Sequence, residues 1–394
     1  MGGKKEFPNT KEFSFSKYKD RPFGFPGIRL FRRIHEMKIL FASLSRIGDY
    51  IQHMVVVRAW ALANPTAEVH VLVNDLIPAD LMRMNSQFRH TVLPRFEYQN
   101  RINQVGTPLM YPFLGLRKIV QQLQAEKYHK VVDLSLQYQS AALLKIIDPG
   151  FFYTKSEIHA INEYVNPADQ THLIDKLKIA HGVKLAPKQA SEGITKRVLL
   201  QVSTSDEKKN IDLPRWKSLV DMMRSDFRSI DLKVISSRAE AKQLQTVFSK
   251  SELFICNFTE LNHALDTETK LISLDTSIKH FAALFGVPTL EISVGSSHWI
   301  KNAAYQAGNY IFSAQQECRP CVHSSACPYG RNQCQDKINF NELNKFVGEW
   351  ITGSQPTVFP MITEAHDGNL GVSAASNQRG VKWKQKTNPA NLSL

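Results

Sequence analysis

The stretch Lys38-Ile39-Leu40-Phe41-Ala42-Ser43-Leu44-Ser45-Arg46-Ile47-Gly48-Asp49 decides the fold. Its apolar run shows no alternation, as expected for a strand buried on both faces of a parallel sheet. A polar turn, Ser43 to Gly48, follows. From Asp49 to Ala63 apolar residues recur at helical spacing, until Asn64-Pro65 stops them. Strand, polar turn and helix form the opening unit of an α/β domain.

Working outward, the same alternation continues. Strands are expected at Val69 to Val73, Thr91 to Leu93 and Lys130 to Leu134, with helices at Ile77 to Met84, Leu114 to Glu126 and Ser140 to Ile147. The polar stretch Pro187 to Thr195 reads as a linker. Beyond it, strands are expected at Arg197 to Val202, Leu232 to Ser236, Leu253 to Cys256, Leu271 to Leu274 and Pro288 to Ser293. Between and after them lie helices at Pro214 to Asp226, Arg238 to Phe248, Leu261 to Leu265, Ser277 to Phe285 and Asn341 to Ile351. The expected architecture is two doubly wound, Rossmann-like domains, 37–186 and 196–352, joined by 187–195. Residues 1–36 read as a basic, aromatic-rich extension. Residues 353–394, rich in Ser, Asn, Pro and Gly, read as a flexible tail.

The chain has 394 residues, 43% hydrophobic and 22% charged, which suits a globular protein and excludes disorder as the main state. Lys plus Arg number 49 against 36 Asp plus Glu, a net charge of +13. Such a balance favours anionic partners, nucleotides and phosphorylated glycolipids among them. No run of five or six like charges suggests a nucleic-acid arm. The longest apolar stretch, Met54 to Ala63, is interrupted by Arg58 and is far short of the roughly 20 residues a span requires. The basic N-terminus lacks an apolar h-region, so a cytoplasmic location is expected. Ile28 to Ile34 can form a short amphipathic piece touching a membrane surface.

Polar clusters recur where strands hand over to helices. In the first domain, Ser45, Arg46, Gly48 and Asp49 sit where α/β folds bind ligands. Gly48 permits a tight turn. Asp49 reads either as a helix N-cap or as a general base. In the second domain, Ser203 and Thr204, followed by Lys208 and Lys209, offer hydroxyls, backbone N–H groups and an ammonium to a diphosphate, without the P-loop pattern. Asp275 and Thr276 can cap a helix and still meet a ligand hydroxyl, with Ser277 beside them and His280 one turn on.

Four of the five cysteines, Cys318, Cys321, Cys327 and Cys334, fall within 17 positions. In a reducing compartment this spacing reads as a tetrathiolate site, zinc by default or iron, with reduced thiols or disulfides as alternatives. Four thiolates leave no open coordination position, so such a metal is structural. His323 can replace one ligand. Cys256 lies on an expected core strand.

Together these residues resemble glycosyltransferase family 9, the ADP-heptose:lipopolysaccharide heptosyltransferases, from about Met37 to Ile351. The segments that carry the likeness are Met37 to Asp49 with Ile51-Gln52-His53, Val131 to Leu134 with Ser140 to Leu144, and Pro214-Arg215-Trp216. The most specific is Asp275-Thr276-Ser277 with His280, through to Pro288-Thr289, which is similar to the family's Asp-Thr-Gly-x-x-His segment. The resemblance implies a GT-B fold and an inverting, metal-independent transfer of heptose from ADP-heptose. The acceptor it implies is a lipopolysaccharide core of the lipid A–Kdo type at the inner membrane's cytoplasmic face. It implies Asp49 as general base. Ser203, Thr204 and Lys208 or Lys209 would hold the diphosphate. Asp275, Thr276, Ser277 and His280 would hold the donor sugar and phosphate. Ser277 replaces the family's Gly. The opening of the 203–210 loop lacks Asn-Pro-Gly. The 293–297 loop lacks Phe-Gly-Pro-Thr, where Gly295 and Ser296 can serve instead. Two other readings remain open: a protein O-heptosyltransferase acting on an autotransporter, and a catalytically inert sugar-nucleotide-binding relative.

Overall fold

The computed structural model describes residues 37–94, 114–136, 138–155, 157, 158, 172–184, 188–191, 193–295, 299–314, 316, 318, 321, 327, 329, 330, 332–353 and 362–365. The expected N-terminal extension, Ser296 and His323 lie outside them.

The first domain is a four-stranded parallel sheet in the order β3-β2-β1-β4, made of β1 (Lys38–Ser43), β2 (Glu68–Asn74), β3 (Arg89–Leu93) and β4 (Lys130–Asp133). Ile39, Leu40, Phe41 and Ala42 are fully buried, as the unbroken apolar run requires. Its helices are α1 (Ile47–Ala63), α2 (Ala79–Arg83), α3 (Leu114–Ala125), α4 (Tyr138–Ile147) and α5 (Leu173–His181). A two-residue strand, β5 (Lys188–Gln189), lies in the expected linker.

The second domain is a seven-stranded sheet in the order β13-β12-β10-β9-β6-β7-β8. Its strands are β6 (Arg197–Gln201), β7 (Asp231–Ser236), β8 (Leu253–Ile255), β9 (Thr269–Leu274), β10 (Thr289–Ser293), β12 (Asn309–Ser313) and β13 (Ile362–Ala365). Pairing is parallel except at β13. The helices are α6 (Leu213–Asp226), α7 (Ala241–Leu244), α8 (Phe258–Ala264), α9 (Ser277–Ala283), α10 (Trp299–Asn302) and α11 (Phe340–Thr352). Strand β11 (Gln306–Ala307) pairs with β5, tying the linker to the second domain.

Two expectations change here. The helix expected over Arg238 to Phe248 is α-helical only at Ala241–Leu244. Turns flank it on both sides, with Leu244 and Phe248 buried and Lys242, Gln243, Gln245 and Thr246 facing solvent. The expected flexible tail contains β13, which pairs with Asn309–Phe312 and covers the β12 edge.

The domains share one apolar core. Tyr50, Ile51, Met54 and Val57 of α1 belong to the same cluster as Leu261, Ala264, Phe281, Ala282 and Tyr305 of the second domain. A polar bond crosses the same boundary. The buried Asp80 carboxylate of α2 accepts the N–H groups of Phe258 (2.8 Å) and Thr259 (3.2 Å), the first turn of α8. A carboxylate at a helix N-terminus satisfies orphan donors and faces the positive end of the dipole. Asp80→Ala is expected to lower unfolding stability by about 1–2 kcal/mol in chemical denaturation. A loss below about 0.3 kcal/mol would show that this cap does not join the domains in solution.

Candidate functional site

The site begins where α1 meets α9. Gly48 is the second residue of α1. A Cβ built there would lie 3.2 Å from the His280 ring and 3.6 Å from the Ser277 Cα. Gly48 thus serves the close approach of two helix starts from different domains; the tight turn expected from the sequence is absent. Asp49 is likewise displaced from its expected place. Arg46 is the N-cap residue, and Asp49, three positions later, accepts the Arg46 backbone N–H (3.1 Å). That arrangement fixes one carboxylate oxygen at the interdomain face. Burial pushes the Asp49 carboxyl above its ordinary range, and Asp275 reinforces the shift. The Arg46 N–H, the Arg46 guanidinium and Lys209 oppose it.

Across from Asp49 stands a line of alternating charges. Lys209 Nζ is 2.6 Å from Asp275 Oδ2, Lys279 Nζ is 2.5 Å from Asp275 Oδ1, and Lys279 also meets Glu291 Oε2 at 2.7 Å. Lys279 is fully buried and Glu291 nearly so. Burial alone would raise the Asp275 carboxyl, but the two ammonium groups outweigh it and hold it far below the usual carboxylate range. Lys279, disfavoured by burial, is raised by Asp275 and Glu291. Asp275 therefore does not cap α9, contrary to one sequence expectation. Thr276 is the N-cap, its hydroxyl accepting the Ile278 N–H (3.2 Å). Ser277 opens the helix, half-buried.

His280 is buried one turn into α9, with Gln52 Nε2 3.4 Å from its Nε2. Burial, with Lys279 nearby, lowers its pKa well below the ordinary value and keeps the ring neutral. Its Nδ1 and the Gln52 Oε1 have no partner among the described residues.

The polar groups of the 203–210 loop are engaged within the protein. Ser203 Oγ donates to Glu240 (2.7 Å), Thr204 Oγ1 donates to the Asp206 carbonyl (2.8 Å), and Thr204 N–H goes to Asn210 Oδ1 (2.7 Å). Of the two candidate lysines, Lys209 reaches the charged line. Lys208 contributes its carbonyl. Gly295 lies against that carbonyl at φ +60°, and a Cβ at Gly295 would fall 1.7 Å from the oxygen. Ser45 is buried, its carbonyl held by Asn74 (2.8 Å), and Arg46 is exposed.

None of the five cysteines is joined in a disulfide, so the disulfide alternative is not what the structure shows. Cys318, Cys334 and Cys327 lie close enough to Cys321 to act on its ionisation. Burial first, then these neighbours and a hydrogen bond with Cys318, push its thiol up to about 11. Among the described residues, no three His, Cys, Asp or Glu side chains are arranged to hold a metal ion.

The sequence reading gave no role to Lys279, Glu291 or Gln52. Two of them carry a signal. Lys279 stands four residues after Asp275, one helical turn, and Glu291 is a lone charge in the apolar strand Thr289 to Ser293.

Two solved structures share this arrangement of domains. E. coli heptosyltransferase WaaC with ADP is 16% identical with a TM-score of 0.51, over 70% of this chain and 92% of that one. The glycosyl transferase family 9 protein from Veillonella parvula is 15% identical with a TM-score of 0.59, over 81% and 98%. The chain has the GT-B fold. No family model and no curated protein matches its sequence. In the GT-B frame, the Asp49 turn comes from the first domain and the Lys209–Asp275–Lys279 line from the second, so the site exists only where the domains meet.

The two glycines should respond differently to added methyl groups. Gly48→Ala gains up to about 1 kcal/mol of helix propensity against a tight 3.2 Å contact with a side-chain ring, so stability should change by less than about 1 kcal/mol. Gly295→Ala meets a backbone carbonyl at a left-handed φ and should cost more than about 2 kcal/mol. Thermal unfolding of both variants ranks them, and the reverse order would overturn this packing.

Proposed function

We propose that the protein is an inverting glycosyltransferase moving heptose from ADP-heptose to a hydroxyl of an anionic, lipopolysaccharide-core type glycolipid. The observation that carries this reading is the meeting of one carboxylate, Asp49, with an ammonium-bearing line from the opposite domain of a GT-B fold. The net charge of +13 suits an anionic acceptor. Among the described residues no helix is long and apolar enough to cross a membrane. Peripheral contact with the cytoplasmic face of the inner membrane is part of the proposal.

The chemistry assigned to these residues is as follows. Asp49 takes the proton of the acceptor hydroxyl as its oxygen attacks the anomeric carbon. The bond from that carbon to the diphosphate oxygen breaks on the opposite face, inverting the configuration. Lys209, half-buried beside Asp275, meets the charge that grows on the departing diphosphate. Asp275 leaves Lys209 oriented and Lys279 neutralised, so the site carries a directed positive group with no loose buried charge. Thr276, Ser277 and His280 line the sugar side. This transfer needs no metal of its own. By residue type Cys318, Cys321, Cys327 and Cys334 are soft donors that would hold a structural zinc or iron ion as thiolates, but the described side chains are not arranged around an ion, so binding would need them to draw together.

A catalytically inert, sugar-nucleotide-binding relative is the second reading. Its support is specific: the Ser203 and Thr204 hydroxyls are already engaged within the protein, and Ser277 stands where the resembled family has Gly. Thermal stabilisation by ADP, UDP and GDP separates nucleotide classes. Turnover of ADP-heptose with a glycolipid or with an autotransporter fragment separates acceptors. Stabilisation by ADP without any turnover would favour the inert reading.

Asp49→Asn is expected to lower transfer at least a hundredfold while ADP affinity changes less than threefold. Survival of activity within tenfold would remove Asp49 as the base. Because the base must be ionised and its folded pKa is raised, kcat/KM should fall as pH drops through a value above the ordinary 3.8. An acid limb at or below 3.8 would contradict the burial of this carboxylate. Metal analysis of the purified protein should find about one zinc or iron per chain. A metal-free, folded and active sample would sink the thiolate site.

A further inference from the structure

We infer that Asn332 is a positioning residue for the diphosphate-binding loop. Through it, the cysteine-rich segment sets the geometry of that loop. The inference rests on the proposed role of residues 203–210 and adds a residue that the sequence reading did not single out.

The side-chain amide of Asn332 donates to two backbone carbonyls of that loop, Lys208 (2.9 Å) and Asn210 (2.7 Å). These carbonyls flank Lys209, whose ammonium reaches Asp275. Asn332 thus holds the backbone on both sides of Lys209, the residue whose ammonium reaches the charged line. Gly295 lies against the same Lys208 carbonyl, and its own carbonyl accepts the Cys321 N–H (3.3 Å). The loop is thus gripped between two stretches that both lead to cysteines.

Asn332 also faces the cysteines directly. Its Oδ1 accepts the Cys334 N–H (3.1 Å) and caps the short 3-10 helix Gln333–Lys337. The next residues continue the grip. Gln335 Oε1 accepts the Asp212 N–H (2.8 Å), and Arg215 binds the Gln335 carbonyl (2.7 Å) and Asp336 (2.5 Å). A side chain that donates two hydrogens on one side and accepts one on the other must be a primary amide, and Asn has the reach required here. An aspartate in its place keeps the acceptor and sets a carboxylate against two carbonyls.

Asn332→Asp and Asn332→Ala therefore separate the two halves of the role. Hydrogen–deuterium exchange of peptides spanning 203–212 reads the loop without any nucleotide. The amides of Lys209 and Asn210, bonded within the loop turn, should exchange faster in both variants. Calorimetric titration with ADP should show at least tenfold weaker binding in both. With ADP-heptose, KM for the donor should rise while kcat at saturation stays within about threefold. Loss confined to Asn332→Ala would mean that only the cap on Cys334 matters, and would overturn the inference. Unchanged exchange in both variants would overturn it as well. If the unaltered protein binds no nucleoside diphosphate, the functional reading fails. The exchange result alone then decides whether Asn332 holds the loop.

Discussion

The Asp275 carboxylate, clamped between Lys209 and Lys279, is the contact on which the rest of the site depends. A buried carboxylate with one partner removed is a costly state, and breaking such a pair costs about 3–5 kcal/mol. Here the charges alternate along Lys209, Asp275, Lys279 and Glu291, so each buried group faces an opposite one. The line ties together the 203–210 loop, the turn after β9, the first turn of α9 and strand β10. Those are the elements assigned to a nucleotide diphosphate in the proposed function. Burial first, and then the adjacent Lys279, disfavour the imidazolium and leave His280 neutral, although Asp275 acts in the opposite direction.

The first domain is fitted to this frame at short range. Gly48 lets α1 come against α9, which brings the Asp49 carboxylate into range of Asp275 and Lys209. Asp80 caps α8 from across the boundary, and the apolar cluster running from Tyr50 to Phe281 closes the space between. Polar groups remain at the seam, notably His280 Nδ1 and Gln52 Oε1, which lack partners among the described residues. Buried polar atoms without partners are uncommon in cores.

Much of the fold was legible because its strands are buried on both faces. Ile39 to Ala42 and Val71 to Val73 read as strands from apolar runs alone, and the Asn64-Pro65 stop follows the end of α1 directly. The Arg238 to Phe248 segment misled because its apolar residues keep helical spacing while the backbone turns tightly after Leu244. β13 was hidden for a different reason. A four-residue edge strand in a Ser- and Pro-rich tail has no periodicity long enough to read, and it forms because β12 offers an open edge.

The candidate site divides in the same way. The candidate residues Asp49, Asp275, Thr276 and His280, with Lys208 or Lys209, are legible in the sequence as polar clusters at strand-to-helix turns, where α/β folds commonly bind ligands. Sequence by itself determined that alternation, the two-domain plan and the types of group at each turn, because these depend on local periodicity and on neighbours a few positions away. Only tertiary structure decided the assignments. Asp49 is a third-position acid because Arg46 occupies the cap. Asp275 is an ion-pair centre because Lys209, far away in sequence, folds onto it. The Lys208 carbonyl is a contact point because Gly295 packs against it and Asn332 donates a hydrogen bond to it. The first of these is a local contact fixed by where the helix begins, while the other two join residues remote in the chain, set by the packing of loops whose sequences carry no periodic signal.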